Sequence, residues 1–505
     1  MSLDIAKYES FLNRLPKPIL RWLERFLKKI PKFSAMIEAE DQKVRASLDH
    51  SLKPYRDVFT RNFTLPEKGI PKESLLTDIK KMNTLETPRW ESGFVSGGIY
   101  HGDPTHISFL NEVYALQSQS NPLHSDLFPS ATKFEAEIVS MVSGMLGRGK
   151  AAGTDQICGT VTSGGTESIL LAMKSYRDQA REKKGISRPQ MIAATTAHVA
   201  FDKAADFFGI KLIKIPVDSE YKMDLEKTRR AINRNTIALV GSSPCFPYGV
   251  IDPIEELSKL AEEYDIGLHV DTCLGGFILP FAEKLGANVP GFDFRLAGVT
   301  SMSVDTHKYG YAAKGTSVLL YRNEELRHQQ FFTATDWPGG LYFSPTLAGS
   351  RPGALSAACW ASLLSIGEQG YLDATRAILQ TAQQLKAGIQ LIPELKILGD
   401  PLWIIAMASD SINIYEVLDQ MSQRQWNLNG LHKPPSIHLA LTLRHTQTGI
   451  AEKFLKDLEE SVSFVKAHPG EKGGMAPVYG MASTLPFRGL VSDLLKKTLD
   501  AIYRV

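Results

Sequence analysis

The sequence predicts an α/β protein in which a mostly parallel sheet is flanked by helices and followed by a smaller α+β domain. Two observations predict it. From about residue 130, helical patterns alternate with short β-branched runs, among them Ile237-Ala238-Leu239-Val240, Leu268-His269-Val270-Asp271 and Ser317-Val318-Leu319-Leu320, and strands separated by helices pair in parallel. After about residue 370 the rhythm changes to amphipathic helices, such as Ala451 to His468 stopped by Pro469, mixed with strands such as Leu439 to Leu443. The expected division is an N-terminal segment 1–115, a large domain 116–370 and a small domain 371–505. Ligands of such a sheet gather at the carboxyl ends of its strands, where the chemistry-bearing motifs are therefore sought.

Composition narrows the class. Of the 505 residues, 43% are apolar and 22% charged, the balance of an ordinary globular protein. Lys and Arg number 57 against 55 Asp and Glu, and this near-neutral chain offers no general nucleic-acid surface. The cysteines 158, 245, 273 and 359 are far apart and sit among apolar residues, which points to buried thiols and to no metal site. No apolar run has the length of a bilayer span, and the N-terminus has no signal-peptide pattern, so the expected location is cytoplasmic or peripheral to a membrane.

Charge is uneven only near the start, where Arg14 to Lys32 holds seven basic residues and one acid, Glu24. Leu20, Leu23, Leu27 and Ile30, with Trp22 and Phe26, recur there at helical spacing, which predicts a short basic amphipathic helix. Its apolar face serves either packing, on this chain or a second subunit, or peripheral contact with an anionic membrane.

Thr162-Ser163-Gly164-Gly165-Thr166-Glu167-Ser168 precedes the apolar run Ile169 to Met173. Small residues at a helix start leave backbone amides open to a phosphate, and Thr166 or Ser168 adds a hydroxyl donor. The same pattern also makes a simple capped turn. Asp271 ends a predicted strand and places a carboxylate at the active edge of the sheet; it suits a protonated pyridine nitrogen or a loop cap. Lys308, in Ser303-Val304-Asp305-Thr306-His307-Lys308-Tyr309-Gly310-Tyr311, is the candidate nucleophile, because a sheltered lysine that sheds its proton attacks an aldehyde. Neighbouring His307 is within reach of a phosphate. His198 follows the strand-like Met191 to Ala194 and offers a flat imidazole for stacking. Between Pro469 and Gly480 a glycine-rich stretch predicts a mobile loop.

The order of glycine loop, strand-end acid and lysine resembles pyridoxal 5'-phosphate (PLP) enzymes of the aspartate-aminotransferase-like fold, fold type I. Within the group that includes the amino-acid decarboxylases, the finer resemblance is to the sphingosine-1-phosphate lyases. It runs from about Ser96 to Ala482 and includes Ser96-Gly97-Gly98-Ile99-Tyr100, Asn121-Pro122-Leu123-His124, Gly249-Val250-Ile251-Asp252-Pro253 and Gly349-Ser350-Arg351-Pro352-Gly353.

The resemblance implies a homodimer with a shared active site that splits a phosphorylated sphingoid base into a fatty aldehyde and phosphoethanolamine. It implies that Lys308 carries PLP as a Schiff base, Asp271 pairs with the pyridine nitrogen and His198 stacks on the ring. Gly164, Gly165, Thr166 and His307 would hold the cofactor phosphate, with Ser350 reaching it from the neighbouring subunit. Tyr100, His124, Lys314 and Tyr479 would surround the substrate phosphate and hydroxyl, and Lys314, a phenol, His124 or the substrate's own phosphate would act as base. Two residues depart from the family pattern: Thr272 stands where alanine is usual, adding a hydroxyl beside the ring, and His101 stands where tryptophan is common. An amino-acid decarboxylase is the alternative, since the cofactor residues serve either reaction.

Overall fold

The computed structural model describes residues 53–470 except 152, residues 488–504, and isolated positions between 19 and 31. The predicted basic helix lies largely outside the described residues, as do Tyr479 and most of its glycine-rich loop. The chain divides into two units, one of residues 91–429 and 436–469 and one of residues 1–90, 430–435 and 470–505. In the second unit the helix Lys72–Glu86 buries no residue and leaves Leu75, Leu76, Ile79 and Leu85 exposed.

The first unit is built on seven strands: β1 (Cys158–Thr162), β2 (Gln190–Ala194), β3 (Lys211–Ile215), β4 (Thr236–Ser242), β5 (Gly267–Asp271), β6 (Ser301–Val304) and β7 (Ser317–Tyr321). Their order across the sheet is β1-β7-β6-β5-β4-β2-β3. Only β7 runs against the others. The predicted runs at 191–194, 237–240, 268–271 and 317–320 are all strands. β2, β4 and β7 are buried along their whole length, and strands covered on both faces read as continuous apolar runs rather than alternating ones.

The helix Gly165–Lys184 lays Ile169, Leu170, Met173 and Tyr176 into the core with Met191, Ala193, Ala238 and Val240 of the sheet and Phe201 and Ala204 of the next helix, Ala200–Phe208. Burying each large side chain of this kind contributes roughly 1.5–3 kcal/mol. Its C-terminus is closed by Gly185 in the left-handed conformation, φ 64°. Beyond the long kinked helix Gly353–Gln390, the strands Lys396–Ile397, Ile404–Ala408 and Pro435–Ala440 pair antiparallel as a small sheet. The strand expected at 439–443 ends at Ala440, because Leu443–Thr446 turns into a 3-10 helix capped by the Thr442 side chain. The helix expected at 451–468 spans Ile450–Ala467. Among the described residues, no helix is long and apolar enough to cross a membrane.

Candidate active site

Four connections leave the carboxyl edge of the sheet, from β1, β2, β5 and β6, of which β5 and β6 are neighbours. After β1, the chain turns through Gly164, whose φ of 153° favours glycine, and enters the helix at Gly165. A Cβ on Gly165 would lie 2.7 Å from Cys273 Sγ and 2.8 Å from Asp305 Oδ1. No side chain fits there, so the amides at the helix start stay open to an anion.

Glu167 in the first turn is folded back: its carboxylate accepts from Ser163 N at 2.6 Å and from Leu347 N at 2.9 Å. Ser168 is fully buried, and its hydroxyl is shared with Thr162 Oγ1 at 2.7 Å and Ser317 Oγ at 3.0 Å. Of the two hydroxyls offered by the sequence, exposed Thr166 is therefore the one left for a ligand.

Asp271 is buried at the end of β5 and receives Cys273 N at 3.1 Å and Ser303 Oγ at 3.0 Å, both on Oδ1. Burial alone would raise its pKa. The hydrogen bonds of Cys273, with the nearby His198, outweigh that and hold it below the usual carboxylate range. His198 is exposed at the end of the β2 connection, and its Nδ1 accepts from Ala200 N at 3.2 Å.

Lys308 Nζ lies 3.0 Å from Oδ2 of Asp305. Desolvation works to neutralise this lysine, but the Asp305 carboxylate prevails and its pKa is raised. Asp305 Oδ1 is buried without a hydrogen-bond partner. His307 donates from Nδ1 to Thr316 O at 2.5 Å, with Nε2 3.8 Å from Asp305 Oδ2. Burial lowers its pKa, against the pull of Asp305. Since Nδ1 already donates, His307 meets an anion through Nε2 with a proton only as the imidazolium.

Tyr100 and Lys314 adjoin this cluster. The Lys314 ammonium stands 4.5 Å from the centre of the Tyr100 ring and 3.2 Å from His307 O. Although the residue as a whole is exposed, its amine faces the site, and desolvation with the neighbouring Lys308 charge brings its pKa down to about 8. Burial pushes Tyr100 up to about 12, opposed by Lys308.

His124 and Ser350 are not brought into contact with the Lys308 cluster. Both are exposed, in adjoining loops joined by Arg351 N donating to Asn121 Oδ1 at 3.2 Å and Gly353 N to Ser120 O at 2.9 Å. Arg351 is in turn held by Glu135 at 2.5 Å.

The two departures from the family pattern have structural homes. The Thr272 hydroxyl donates to Ser303 O at 2.8 Å and is fully buried, so it is spent within the sheet rather than offered to a ring. His101 packs 4.4 Å from His106 and edge-on to Tyr311 at 5.0 Å.

Asp305, Glu167, Cys273, His269 and Ser303 were not singled out from the sequence. Spacing held a signal for two of them: Asp305 stands three residues before Lys308, and His269 shares a strand face with Asp271 at period two.

These residues fit PLP. A glycine cradle that a single methyl group would fill, an ionised buried acid whose bonds from Cys273 N and Ser303 end on one oxygen, and an orphaned carboxylate oxygen beside a sheltered lysine are the donor and acceptor set it needs. Among the described residues no group of side chains could hold a metal ion.

Comparison with known proteins agrees. The model of the pyridoxal-dependent decarboxylase conserved domain matches residues 57–402. The sphingosine-1-phosphate lyase of Arabidopsis thaliana is 47% identical over 96% of this chain and 89% of that protein. The lyase of Dictyostelium discoideum is 45% identical over 97% and 91%. The solved sphingosine-1-phosphate lyase of Burkholderia pseudomallei superposes with a TM-score of 0.83 at 43% identity, covering 89% of this chain and 99% of that one. Glutamate decarboxylase of Lactobacillus brevis, at 18% identity and TM-score 0.69 over 81% of this chain and 96% of that one, shares the fold alone. The chain therefore belongs to the sphingosine-1-phosphate lyase family, on the fold of the PLP-dependent decarboxylases.

Proposed function

We propose that the protein is a PLP-dependent carbon–carbon lyase that cleaves a phosphorylated sphingoid base, sphingosine-1-phosphate or a close analogue, into a long-chain aldehyde and phosphoethanolamine. The observation that carries this reading is a second amine, Lys314, lying over the Tyr100 phenol next to the Lys308–Asp305 pair. A substrate bearing both a hydroxyl to be deprotonated and a phosphate to be held requires such a set, whereas a decarboxylase requires one cation for a carboxylate.

PLP, when bound, supplies an electron sink for the pair released at the amine-bearing carbon. Lys308 would hold the cofactor covalently. Asp271 would keep the proton on the pyridine nitrogen, His198 would stack on the ring, and Gly164, Gly165, Thr166 and His307 would bind the cofactor phosphate. Lys314, with a pKa near 8, is the group best matched to accept the substrate hydroxyl proton, because proton transfer is most efficient when the pKa lies near the working pH. Tyr100, at about 12, stays protonated and donates to the substrate phosphate; Tyr479 and His124, the latter apart from this cluster within one chain, would join it there.

The functional molecule is a homodimer in which the exposed loop carrying Ser350 serves the partner's cofactor phosphate. We read residues 116–370 as the PLP-binding domain, 371–505 as the small domain and 1–115 as the arm. The basic amphipathic stretch at Arg14–Lys32 supports peripheral contact with anionic lipid, where the substrate resides.

The test is product analysis by mass spectrometry after incubating the protein and PLP with sphingosine-1-phosphate. A long-chain aldehyde with phosphoethanolamine, both lost in Lys308→Ala, is the expected result. Bound cofactor with neither product, and carbon dioxide released from an amino acid, would replace the lyase reading with the decarboxylase one.

A further inference from the structure

Behind Asp271 lies a chain of buried polar groups that packing alone does not require. The parallel register of β5 and β6 pairs His269 with Ser301 and Asp271 with Ser303, so strand alternation puts all four side chains on one face. Tyr176, from the helix Gly165–Lys184, closes the row; a Cβ on Gly267 would lie 2.2 Å from its ring, so the glycine makes its place. The contacts are Tyr176 OH to Ser301 Oγ at 2.6 Å, Ser301 Oγ to His269 Nδ1 at 2.7 Å, His269 Nε2 to Ser303 Oγ at 3.2 Å, and Ser303 Oγ to Asp271 Oδ1 at 3.0 Å. Tyr176 is 2% exposed, while His269, Ser301 and Ser303 are at 0%, so the row is closed to bulk solvent.

The chemistry of these groups gives the row one direction. An ionised carboxylate only accepts, so the single Ser303 proton goes to Asp271. Ser303 then has only lone pairs to offer His269, whose Nε2 must carry the proton. Nδ1 is left bare and takes the Ser301 proton, which leaves Ser301 to accept from Tyr176. The Thr300 hydroxyl, which donates to Leu268 O at 3.2 Å, lies 2.7 Å from Tyr176 OH, so the row begins at the Tyr176 proton. Burial drives the His269 pKa down to about 4, so the ring is neutral and holds this one tautomer at ordinary pH.

We infer that His269 is a positioning residue for the cofactor: its Nε2–H tautomer orients Ser303 toward Asp271 and, through the row from Tyr176, keeps that carboxylate ionised for the pyridine nitrogen. This rests on the assignment of Asp271 to that nitrogen. Each donor polarises the next in a low-dielectric interior, so the row acts on Asp271 as a unit. A histidine that merely fills space would show no preferred proton order and no link to the acid.

The test is titration of the cofactor-free protein with PLP, reading the dissociation constant and the pH at which the visible band of bound PLP changes, alongside thermal unfolding without cofactor. His269→Phe keeps the volume and removes both nitrogens, Ser303→Ala cuts the row beside Asp271, and His269→Gln restores a donor. Losing a hydrogen bond to an ionised group is expected to weaken PLP binding roughly tenfold or more in His269→Phe and Ser303→Ala. The band's titration should move in both, and His269→Gln should recover most of each effect. If either variant melts lower but binds PLP with unchanged affinity and an unchanged band, His269 is structural only and the inference is overturned. Should His269→Phe fail to fold, Ser303→Ala decides alone. Asp271→Ala separates the underlying assignment: if it leaves affinity and band unchanged, Asp271 does not serve the cofactor, whatever His269 does.

Discussion

Lys308 and Asp305, three residues apart in the turn after β6, form an ion pair of 3.0 Å, and the second oxygen of Asp305 is buried without a partner. The carboxylate holds the amine protonated in the cofactor-free site, against desolvation. A charged amine is no nucleophile, so this pair restrains the lysine in the cofactor-free site.

Asp305→Asn removes the charge that raises the Lys308 pKa, leaving desolvation to lower it. The rate of PLP incorporation into the cofactor-free protein should therefore rise at neutral pH, and its pH profile should move to lower pH. Stopped-flow absorbance across pH measures this. An unchanged profile would mean that Asp305 does not control the amine.

Lys314 titrates near pH 8 in the free site. If its neutral amine takes the hydroxyl proton, kcat/KM rises as pH increases through about 8 and then levels. Lys314→Arg keeps the charge but cannot lose its proton, and should cost about 100-fold or more in kcat. An arginine variant that keeps its kcat would make Lys314 a phosphate-holding cation instead.

Gly165→Ala forces a methyl group to within 2.7 Å of Cys273 Sγ and 2.8 Å of Asp305 Oδ1, both buried. The strain should cost about 1–3 kcal/mol of stability and push the amides away from the cofactor phosphate. Thermal unfolding should show the first, and a PLP dissociation constant raised at least tenfold the second.

Ser350 stands exposed in a loop that the Asn121–Arg351 contact ties to that of His124. If it serves the partner's site, mixing inactive Lys308→Ala with an inactive bulky variant such as Ser350→Trp should restore activity. Random reassortment makes half the dimers mixed, each with one intact site, so about a quarter of wild-type activity should return. No recovery after demonstrated subunit exchange would place Ser350 in its own subunit's site.

Much of this was legible along the chain. The apolar runs at 191–194, 237–240 and 317–320 are strands because β-branched and aliphatic residues suit a sheet covered on both faces. The glycine pair before Ile169 is a helix entry because small residues leave its amides open. The limits were equally physical. The strand expected through Leu443 stops at Ala440, since the Thr442 side chain caps the following turn, a local hydrogen bond that hydrophobic pattern does not register. The Thr272 hydroxyl looked like an addition beside the ring, yet it is bonded to Ser303 O across the sheet.

By itself, then, the sequence determined the α/β class, the strands and the residue types able to hold an aldehyde cofactor, because these depend on local pattern and on chemistry carried by single side chains. Only the tertiary structure decided which of them meet. It set Asp305 on Lys308, Lys314 over Tyr100 and the Tyr176–His269 row behind Asp271, and it left His124 and Ser350 apart from the lysine. Proton order and pKa follow from distances between residues remote in the chain and from their burial, and those quantities exist only once the strands have taken their register.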